Sequence, residues 1–319
     1  MAAFALFLLL LAAGAWGATD EPAAEDGKGE AISRDDRPPL GSLYLPIPLG
    51  VPNVDDSATG VFVPEGYRAG KTVDLVVFLR GYDVKRPKTA TSVREYWGSP
   101  DHPVLRSFQL REEVNKSGKN VILVVPALGP FAEAGKLTDE GGGRAFLDRV
   151  LDGLWRHGPH AGLEGRPTVR HLILAAHSGG GAPLRRLAQR LGEEDALKGK
   201  VKECWGFDSI YGVKDKDAEF WAAWAEAHPG AKVTMFYLFT DKEVGRDPKQ
   251  PIGPANPADH REPTGTAGPA LELERLARAR RLANVTVVRE PKGSGVGHAE
   301  VPRAHLAELL RAADYLDDR

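Results

Sequence analysis

The sequence predicts an α/β protein whose central sheet is mostly parallel and carries helices on both faces. The runs DLVVFL, VILVV and LILAA are almost wholly aliphatic, which is typical of strands that are buried on both sides. Strand-like and helix-like segments also alternate along most of the chain. The 319 residues are 42% hydrophobic, which is enough for one large domain with its own core.

The individual elements follow from the spacing of apolar residues. Two short proline-containing segments, SLYLPIPLGV and GVFVPEGY, predict edge strands at the start of the sheet. Further strands are predicted at residues 73–79, 121–125, 169–176, 200–208, 232–239 and 284–290. Helices are predicted at residues 104–115, around 146–154, and at 182–191, 218–227, 271–282 and 301–316.

The N-terminus has the features of a secretory signal at residues 1–17. Its apolar run, residues 2–13, is too short to span a bilayer, and Ala15 and Gly17 suit the −3 and −1 positions of signal peptidase. Because no lysine or arginine precedes the run, an uncleaved membrane anchor is the alternative. We expect the mature protein to be secreted or periplasmic, with no stable membrane span after cleavage.

Two further segments differ in composition from the rest of the chain. Residues 18–40 are charged, rich in alanine and proline and without apolar periodicity, so they predict a disordered tether before a domain at 41–319. Residues 241–269 are rich in proline, and they exceed by far the usual connection of about 2 to 6 residues. This long loop is either a cap over a functional site or an idle insertion.

Charge and composition exclude several functions. Lysine and arginine total 42 against 44 acidic residues, and no basic stretch stands out, so no nucleic-acid partner is expected. Cys204 is the only cysteine, which rules out an intramolecular disulfide, and its apolar neighbours predict a small buried side chain. His157 and His160 are spaced as metal ligands can be, but Gly158 and Pro159 interrupt the helix that would align them. We therefore predict no metal site.

Ser178 lies where a reactive group is expected. In HLILAAHSGGGAPLRRLAQRL it separates the strand predicted at 169–176 from the helix predicted at 182–191. Ligands of open parallel sheets bind beyond the carboxyl ends of the strands, and a sharp turn there would project the hydroxyl outward. Such a turn needs small residues two positions before and after the serine, and Ala176 and Gly180 meet this need. A helix cap is the alternative role of Ser178.

The segment AHSGGG resembles the nucleophile elbow of the α/β-hydrolase fold, whose usual form is Gly-x-Ser-x-Gly; Ala176 replaces the first glycine. The resemblance implies that Ser178 is a nucleophile and that the backbone N–H of Gly179 donates to an oxyanion. The triad order in this fold is serine, acid, histidine. KGSGVGHAEV sets His298 in a glycine-rich loop before the last predicted helix, which implies a general base rather than a surface histidine.

Two aspartates are candidates for the acid of the triad. Asp208, in GFDSIYG, has the apolar neighbours Phe207 and Ile210, and the phrase FDSIYG resembles a turn of bacterial hydrolases that also carry an HSGGG elbow. Asp241, in FTDKE, follows the next strand, the commoner position in the family, but it begins a charged run typical of a solvated loop. We favour Asp208, since the acid must be partly buried to hold an imidazole, and keep Asp241 as the alternative.

The second oxyanion donor in this fold comes from the loop after the first central strand, here LRGYDV. Tyr82 is the expected donor through its backbone N–H, and Gly81 retains the usual glycine. Arg80 replaces the common histidine. It could attract an anionic substrate, pair with Asp83, or serve as a buried structural arginine, and the sequence does not separate these roles.

The resemblance implies an exported serine hydrolase that cleaves ester or related acyl bonds, in small molecules or polymers, through an acyl-enzyme intermediate and without a cofactor. Two alternatives stay open. The same triad could act on amide or peptide bonds. A protein that kept the fold and lost turnover would be a binding or scaffold protein, because fold does not imply function.

Overall fold

A sheet of nine strands forms the centre of the described part of the chain. The computed structural model describes residues 33–35, 41–52, 54, 58–82, 92–97, 109–212, 216–238, 265–291 and 293–319. Its strands are β1 (Ser33–Asp35), β2 (Ser42–Pro46), β3 (Ala58–Phe62), β4 (Thr72–Leu79), β5 (Ile122–Val125), β6 (Thr168–His177), β7 (Val201–Phe207), β8 (Lys232–Tyr237) and β9 (Val285–Arg289).

The sheet is antiparallel at one end and parallel elsewhere. In space the strands follow the order β1-β2-β3-β5-β4-β6-β7-β8-β9. The three pairs from β1 to β5 are antiparallel, whereas every pair from β5 to β9 is parallel. The carboxyl ends of β4 to β9 therefore share one edge of the sheet, which we call the carboxyl edge, and the residues that follow those strands meet there.

Seven α-helices accompany these strands in the described residues, and they cover both faces of the sheet. They are α1 (Val93–Tyr96), α2 (Leu110–Ser117), α3 (Gly142–His157), α4 (Gly181–Glu193), α5 (Asp217–Ala227), α6 (Ala267–Arg280) and α7 (Val301–Ala312). None of the helices in the described ranges is long and apolar enough to cross a membrane.

Alternate side chains of the central strands pack into two separate cores. In β4, Leu75 and Val77 belong to the core that contains apolar residues of α3, α4, α5 and α6, whereas Val76 and Phe78 belong to the core with α1, α2 and α7. Burial on both sides explains why these strands are continuous aliphatic runs in the sequence, and each buried side chain of this size contributes about 1.5–3 kcal/mol. The predicted fold class is confirmed.

Several boundaries differ from the sequence-based expectation. β1 lies inside the segment 18–40 predicted to be disordered; its three polar residues have no apolar pattern, and the strand pairs with β2 through its backbone. α1 has only four residues, too few to display helical periodicity. α6 begins at Ala267, within the predicted long loop, and α7 ends at Ala312, before the predicted end at 316. The predicted signal, 1–17, lies outside the described residues.

Cys204 and His160, which the sequence analysis did not assign to the functional site, have structural roles. Cys204 is fully buried, and burial raises the pKa of its thiol well above the usual value. His160 is also buried, and both of its ring nitrogens are engaged, one with the Tyr67 hydroxyl at 3.0 Å and one with the Gly70 carbonyl at 3.0 Å. No group of three or more potential metal ligands occurs among the described residues.

Candidate active site

Ser178 sits in a strained turn between β6 and α4. It is the first residue of a 3₁₀ turn, Ser178–Gly180, that leads from the end of β6 directly into the helix. Its φ of 52° lies in the left-handed region, which costs a non-glycine residue about 1–3 kcal/mol. This conformation at the carboxyl edge is the geometry expected of a nucleophile elbow, and it is not the geometry of a helix cap, for which an extended backbone is typical.

The glycines after Ser178 are required by close approach of neighbouring backbone. A Cβ on Gly180 would lie 2.5 Å from the carbonyl oxygen of Leu79 and 2.7 Å from that of Arg80. A Cβ on Gly181 would lie 1.7 Å from the carbonyl oxygen of Ser209. The turn is thus packed between the end of β4 and Ser209, which follows β7, so a larger side chain at either glycine would displace it.

His298 reaches the same edge from the loop between β9 and α7. Positive φ values at Gly293 and Gly295, 83° and 78°, allow this loop to turn. The imidazole Nδ1 lies 2.5 Å from Oδ2 of Asp208, although the two residues are 90 positions apart in the chain. An Nδ1–H that donates to a carboxylate leaves Nε2 of the neutral ring as the acceptor. The side chain of His298 is 43% exposed, whereas that of Asp208 is 3% exposed.

Asp208 is held by three donors. Besides the imidazole on Oδ2, its Oδ1 accepts hydrogen bonds from the backbone N–H of Leu238 at 3.2 Å and from the hydroxyl of Thr266. Asp208 itself has a φ of 49°, another left-handed conformation at this edge. These three hydrogen bonds fix the orientation of the buried carboxylate toward His298. Asp241, the alternative acid, lies outside the described residues, as does most of the long loop.

Thr266 was not identifiable as a site residue from the sequence. It occupies the N-cap position of α6, where threonine is common, but its side chain makes no capping hydrogen bond and is directed to Asp208 instead. The only sequence signal at Thr266 is that of a helix start. A local pattern cannot distinguish a hydroxyl that caps a helix from one that reaches a distant carboxylate.

His177, the residue before Ser178, supports the His298 loop. Its Nε2–H donates to the carbonyl oxygen of His298 at 2.9 Å, and the two imidazole rings are 4.6 Å apart at an angle of 39°. Burial, and then the proximity of His298, lower the pKa of His177 to about 3. His177 is therefore neutral at physiological pH and holds the loop as an uncharged donor.

The low pKa of His177 predicts acid destabilisation of the fold. The unfolded residue has a pKa of about 6.5, so below that value the unfolded chain binds a proton that the native ring excludes. The free energy of unfolding should fall by about 2 kcal/mol from this residue between pH 7 and pH 5. Urea unfolding at both pH values measures the loss. His177→Gln, whose amide can also donate, should lose correspondingly less, and an identical loss would refute the assignment.

The loop after β4 adjoins Ser178 on the other side. A Cβ on Gly81 would lie 2.5 Å from Cβ and 3.1 Å from Oγ of Ser178, and a Cβ on Gly179 would lie 2.2 Å from the ring of Tyr82. The residues expected to supply the two oxyanion donors, Gly179 and Tyr82, are thus adjacent. Arg80 is buried and donates to the carbonyl oxygens of Leu128 at 2.5 Å and Gly129 at 3.0 Å, which agrees with a structural arginine. Asp83 lies outside the described residues.

Comparisons with known proteins find similarity in structure only. No family model matches the chain, and no curated protein matches its sequence. Among solved structures, the chain is similar to the feruloyl esterase module from Clostridium thermocellum, with 12% identity over 88% of this chain and 87% of that one and a TM-score of 0.48. It is also similar to poly(aspartic acid) hydrolase-1 from Sphingomonas sp. KT-1, with 12% identity over 85% and 98% of the two chains and a TM-score of 0.46.

A third similar structure is the siderophore hydrolase EstB from Aspergillus nidulans, with 16% identity over 92% of this chain and all of that one and a TM-score of 0.41.

The features of the chain itself identify its fold. They are the mostly parallel sheet with helices on both faces, the strained serine turn after a central strand, and the chain order serine, aspartate, histidine at one edge. The chain has the α/β-hydrolase fold.

Proposed function

We propose that this protein is a serine hydrolase that cleaves carboxylic esters through an acyl-enzyme intermediate. The hydrogen bond between His298 Nδ1 and Asp208 Oδ2 is the observation that carries the proposal, because it leaves Nε2 of His298 as the proton acceptor. The His298 ring also lies next to the ring of His177, the residue before Ser178. The strained backbone of Ser178 supports the same role, since strain of this kind is concentrated at functional sites.

In the first half of the proposed reaction, Ser178 Oγ attacks the ester carbonyl carbon while His298 Nε2 takes the hydroxyl proton. The carbonyl oxygen becomes an oxyanion, stabilised by the backbone N–H groups of Gly179 and Tyr82. The imidazolium, oriented by Asp208, then gives its proton to the alcohol oxygen as the carbon–oxygen bond breaks. The alcohol leaves, and the acyl group remains on Ser178.

The second half repeats these steps with water as the nucleophile. His298 removes a proton from a water molecule, whose oxygen attacks the acyl carbon. When the second tetrahedral intermediate collapses, the imidazolium returns the proton to Ser178 Oγ, and the carboxylic acid is released. In both halves the role of Asp208 is to fix the tautomer of His298 and to stabilise the imidazolium.

A fluorophosphonate probe tests this proposal. It phosphonylates an activated serine, so we expect the folded protein to be labelled on the tryptic peptide that contains Ser178, as identified by mass spectrometry. Heat-unfolded protein is the control and should not react. Rates on a nitrophenyl ester and the matching nitroanilide then compare ester with amide cleavage. Folded protein that neither reacts with the probe nor cleaves the ester would exclude a serine hydrolase.

The hydroxyl of Thr266 is expected to contribute to turnover through Asp208. In Thr266→Val the carboxylate loses one of its donors, and hydrogen bonds to charged groups contribute about 1.5–3 kcal/mol. We expect kcat for ester hydrolysis to fall about tenfold, with little change in KM. Thr266→Ser keeps the hydroxyl and should retain most of the rate. Equal rates for the valine variant and the wild type would show that Thr266 has no positioning role.

We also propose that the mature protein is exported. The support is the apolar run at residues 2–13 followed by Ala15 and Gly17. Expression of the full chain in a host with a secretory pathway, followed by intact-mass measurement of the protein outside the membrane, should give an N-terminus at Ala18. Full-length protein retained in the membrane fraction would favour the anchor instead.

A further inference from the structure

Two aromatic rings, Tyr82 and Phe131, form an exposed corner at the carboxyl edge. Each residue is 53% exposed. Their ring centroids are 5.9 Å apart and their planes meet at 78°, an edge-to-face pair within the favourable range of about 4.5–7 Å. We call this pair the aromatic corner. Both residues are therefore more than half exposed, although large aromatic side chains are ordinarily buried.

The aromatic corner borders Ser178. The ring of Tyr82 lies against Gly179, where an added Cβ would approach Cε1 of Tyr82 to 2.2 Å. Gly179 is the residue after Ser178, and Gly81, the residue before Tyr82, lies against the Ser178 side chain. A molecule bound to Ser178 would therefore lie close to the aromatic corner, because Tyr82 contacts the residue next to Ser178 in the chain.

The loop that carries Phe131 is held firmly. The buried guanidinium of Arg80 donates to the carbonyl oxygens of Leu128 and Gly129, which open the loop after β5. The carboxylate of Glu133 accepts from the backbone N–H of Phe131 at 2.8 Å. The buried guanidinium of Arg80 and the carboxylate of Glu133 thus hold the backbone of a loop whose aromatic side chain is exposed, and a loop that is already ordered loses less entropy when it binds a ligand.

The backbone of this loop is strained as well. Ala132 has a φ of 59°, a conformation that costs about 1–3 kcal/mol for a residue with a side chain. Ala132 itself is buried, and its N–H donates to Gly129 at 2.9 Å. In this backbone conformation Ala132 lies inside the protein and Phe131 lies outside.

Strand order assigns the aromatic corner to one side of the reaction. Tyr82 and Phe131 follow β4 and β5, whereas Asp208 and His298 follow β7 and β9, and β6 with Ser178 lies between these two groups. In the proposed reaction the leaving oxygen must receive a proton from His298, so the alcohol part of the ester lies on the side of β7 to β9. The opposite side, toward β4 and β5, is then available to the acyl part.

We propose that the aromatic corner binds an aromatic acyl group, so that the preferred substrates are esters of aryl carboxylic acids. The inference rests on the proposed function and adds the class of substrate to it. A flat ring can stack on one of the two aromatic side chains or meet it edge to face, because negative ring faces attract positive ring edges. A saturated group of equal size gains only the free energy of burying its apolar surface.

Phe131→Leu tests the aromatic corner with two substrates of nearly equal size, methyl benzoate and methyl cyclohexanecarboxylate. Leucine keeps an apolar side chain but has no ring. We expect kcat/KM for the benzoate to fall about tenfold, while kcat/KM for the saturated ester changes by less than about twofold. Phe220→Leu, a partly buried phenylalanine on α5, is the matched control and should leave the ratio of the two rates unchanged. Equal changes for both esters, or no change for either, would overturn the proposal.

Two further measurements separate a failure of this inference from a failure of the proposed function. The rate of labelling by a small alkyl fluorophosphonate should be the same in Phe131→Leu and wild type, since the probe has no aromatic ring. Binding of methyl benzoate to the Ser178→Ala protein, measured by calorimetry, needs no turnover, and a second change of Phe131→Leu in that background should weaken it about tenfold. Equal dissociation constants in the two proteins would show that the aromatic corner does not bind the aryl group, and this result would not depend on catalytic activity.

Discussion

Replacing Ser178 with alanine is expected to lower kcat for ester hydrolysis by about 10⁶-fold and to abolish fluorophosphonate labelling. The hydroxyl oxygen is the only atom that the substitution removes, and the proposed reaction passes through a covalent bond to that oxygen. The proposed oxyanion donors are backbone groups of Gly179 and Tyr82, so they survive the change and should leave a small residual rate above that of water. Steady-state kinetics on a nitrophenyl ester measure the loss.

Ser117→Ala is a matched control for this experiment. Ser117 ends α2, and its buried hydroxyl donates to the carbonyl oxygen of Val114, at a distance of 2.6 Å. We expect the control to retain wild-type kinetics and labelling. Circular dichroism should show the same fold in both variants. A folded Ser178→Ala protein with more than about a hundredth of the wild-type kcat would mean that another group is the nucleophile.

Replacing Asp208 with asparagine is expected to lower kcat by about 10⁴-fold. An amide can donate to Nδ1 of His298, which stabilises the tautomer that carries its proton on Nε2 and so cannot accept the serine proton. The amide also carries no negative charge to balance the imidazolium. The fluorophosphonate reaction, which needs the same base, should slow in parallel.

Asp241→Asn distinguishes the two candidate acids. If Asp208 orients His298, the Asp241 variant should keep kcat within a few-fold of wild type. A loss on the order of 10⁴-fold in Asp241→Asn, together with a nearly normal rate in Asp208→Asn, would reverse the assignment. Melting temperatures of both variants are needed, because Asp208 also accepts hydrogen bonds from Leu238 and Thr266, and its replacement can weaken the fold.

The sequence by itself determined the fold class, the order of the main elements and the position of Ser178. Strands buried on both faces must be aliphatic at nearly every position, so β4, β5 and β6 are visible as uninterrupted runs. The turn after β6 is visible because close backbone approach admits only small residues there, as at Gly180. These features depend on local burial and local sterics, which a short segment of sequence records directly.

Only the tertiary structure decided which distant residues meet. β4 lies between β5 and β6 in space, an order that no local pattern contains, and this order brings Gly81 and Tyr82 beside Ser178. The hydrogen bond between Asp208 and His298 and the hydroxyl of Thr266 on the same carboxylate likewise join segments far apart in the chain. Such contacts depend on how strands are ordered and packed, whereas hydrophobic periodicity reports only which face of each segment is buried.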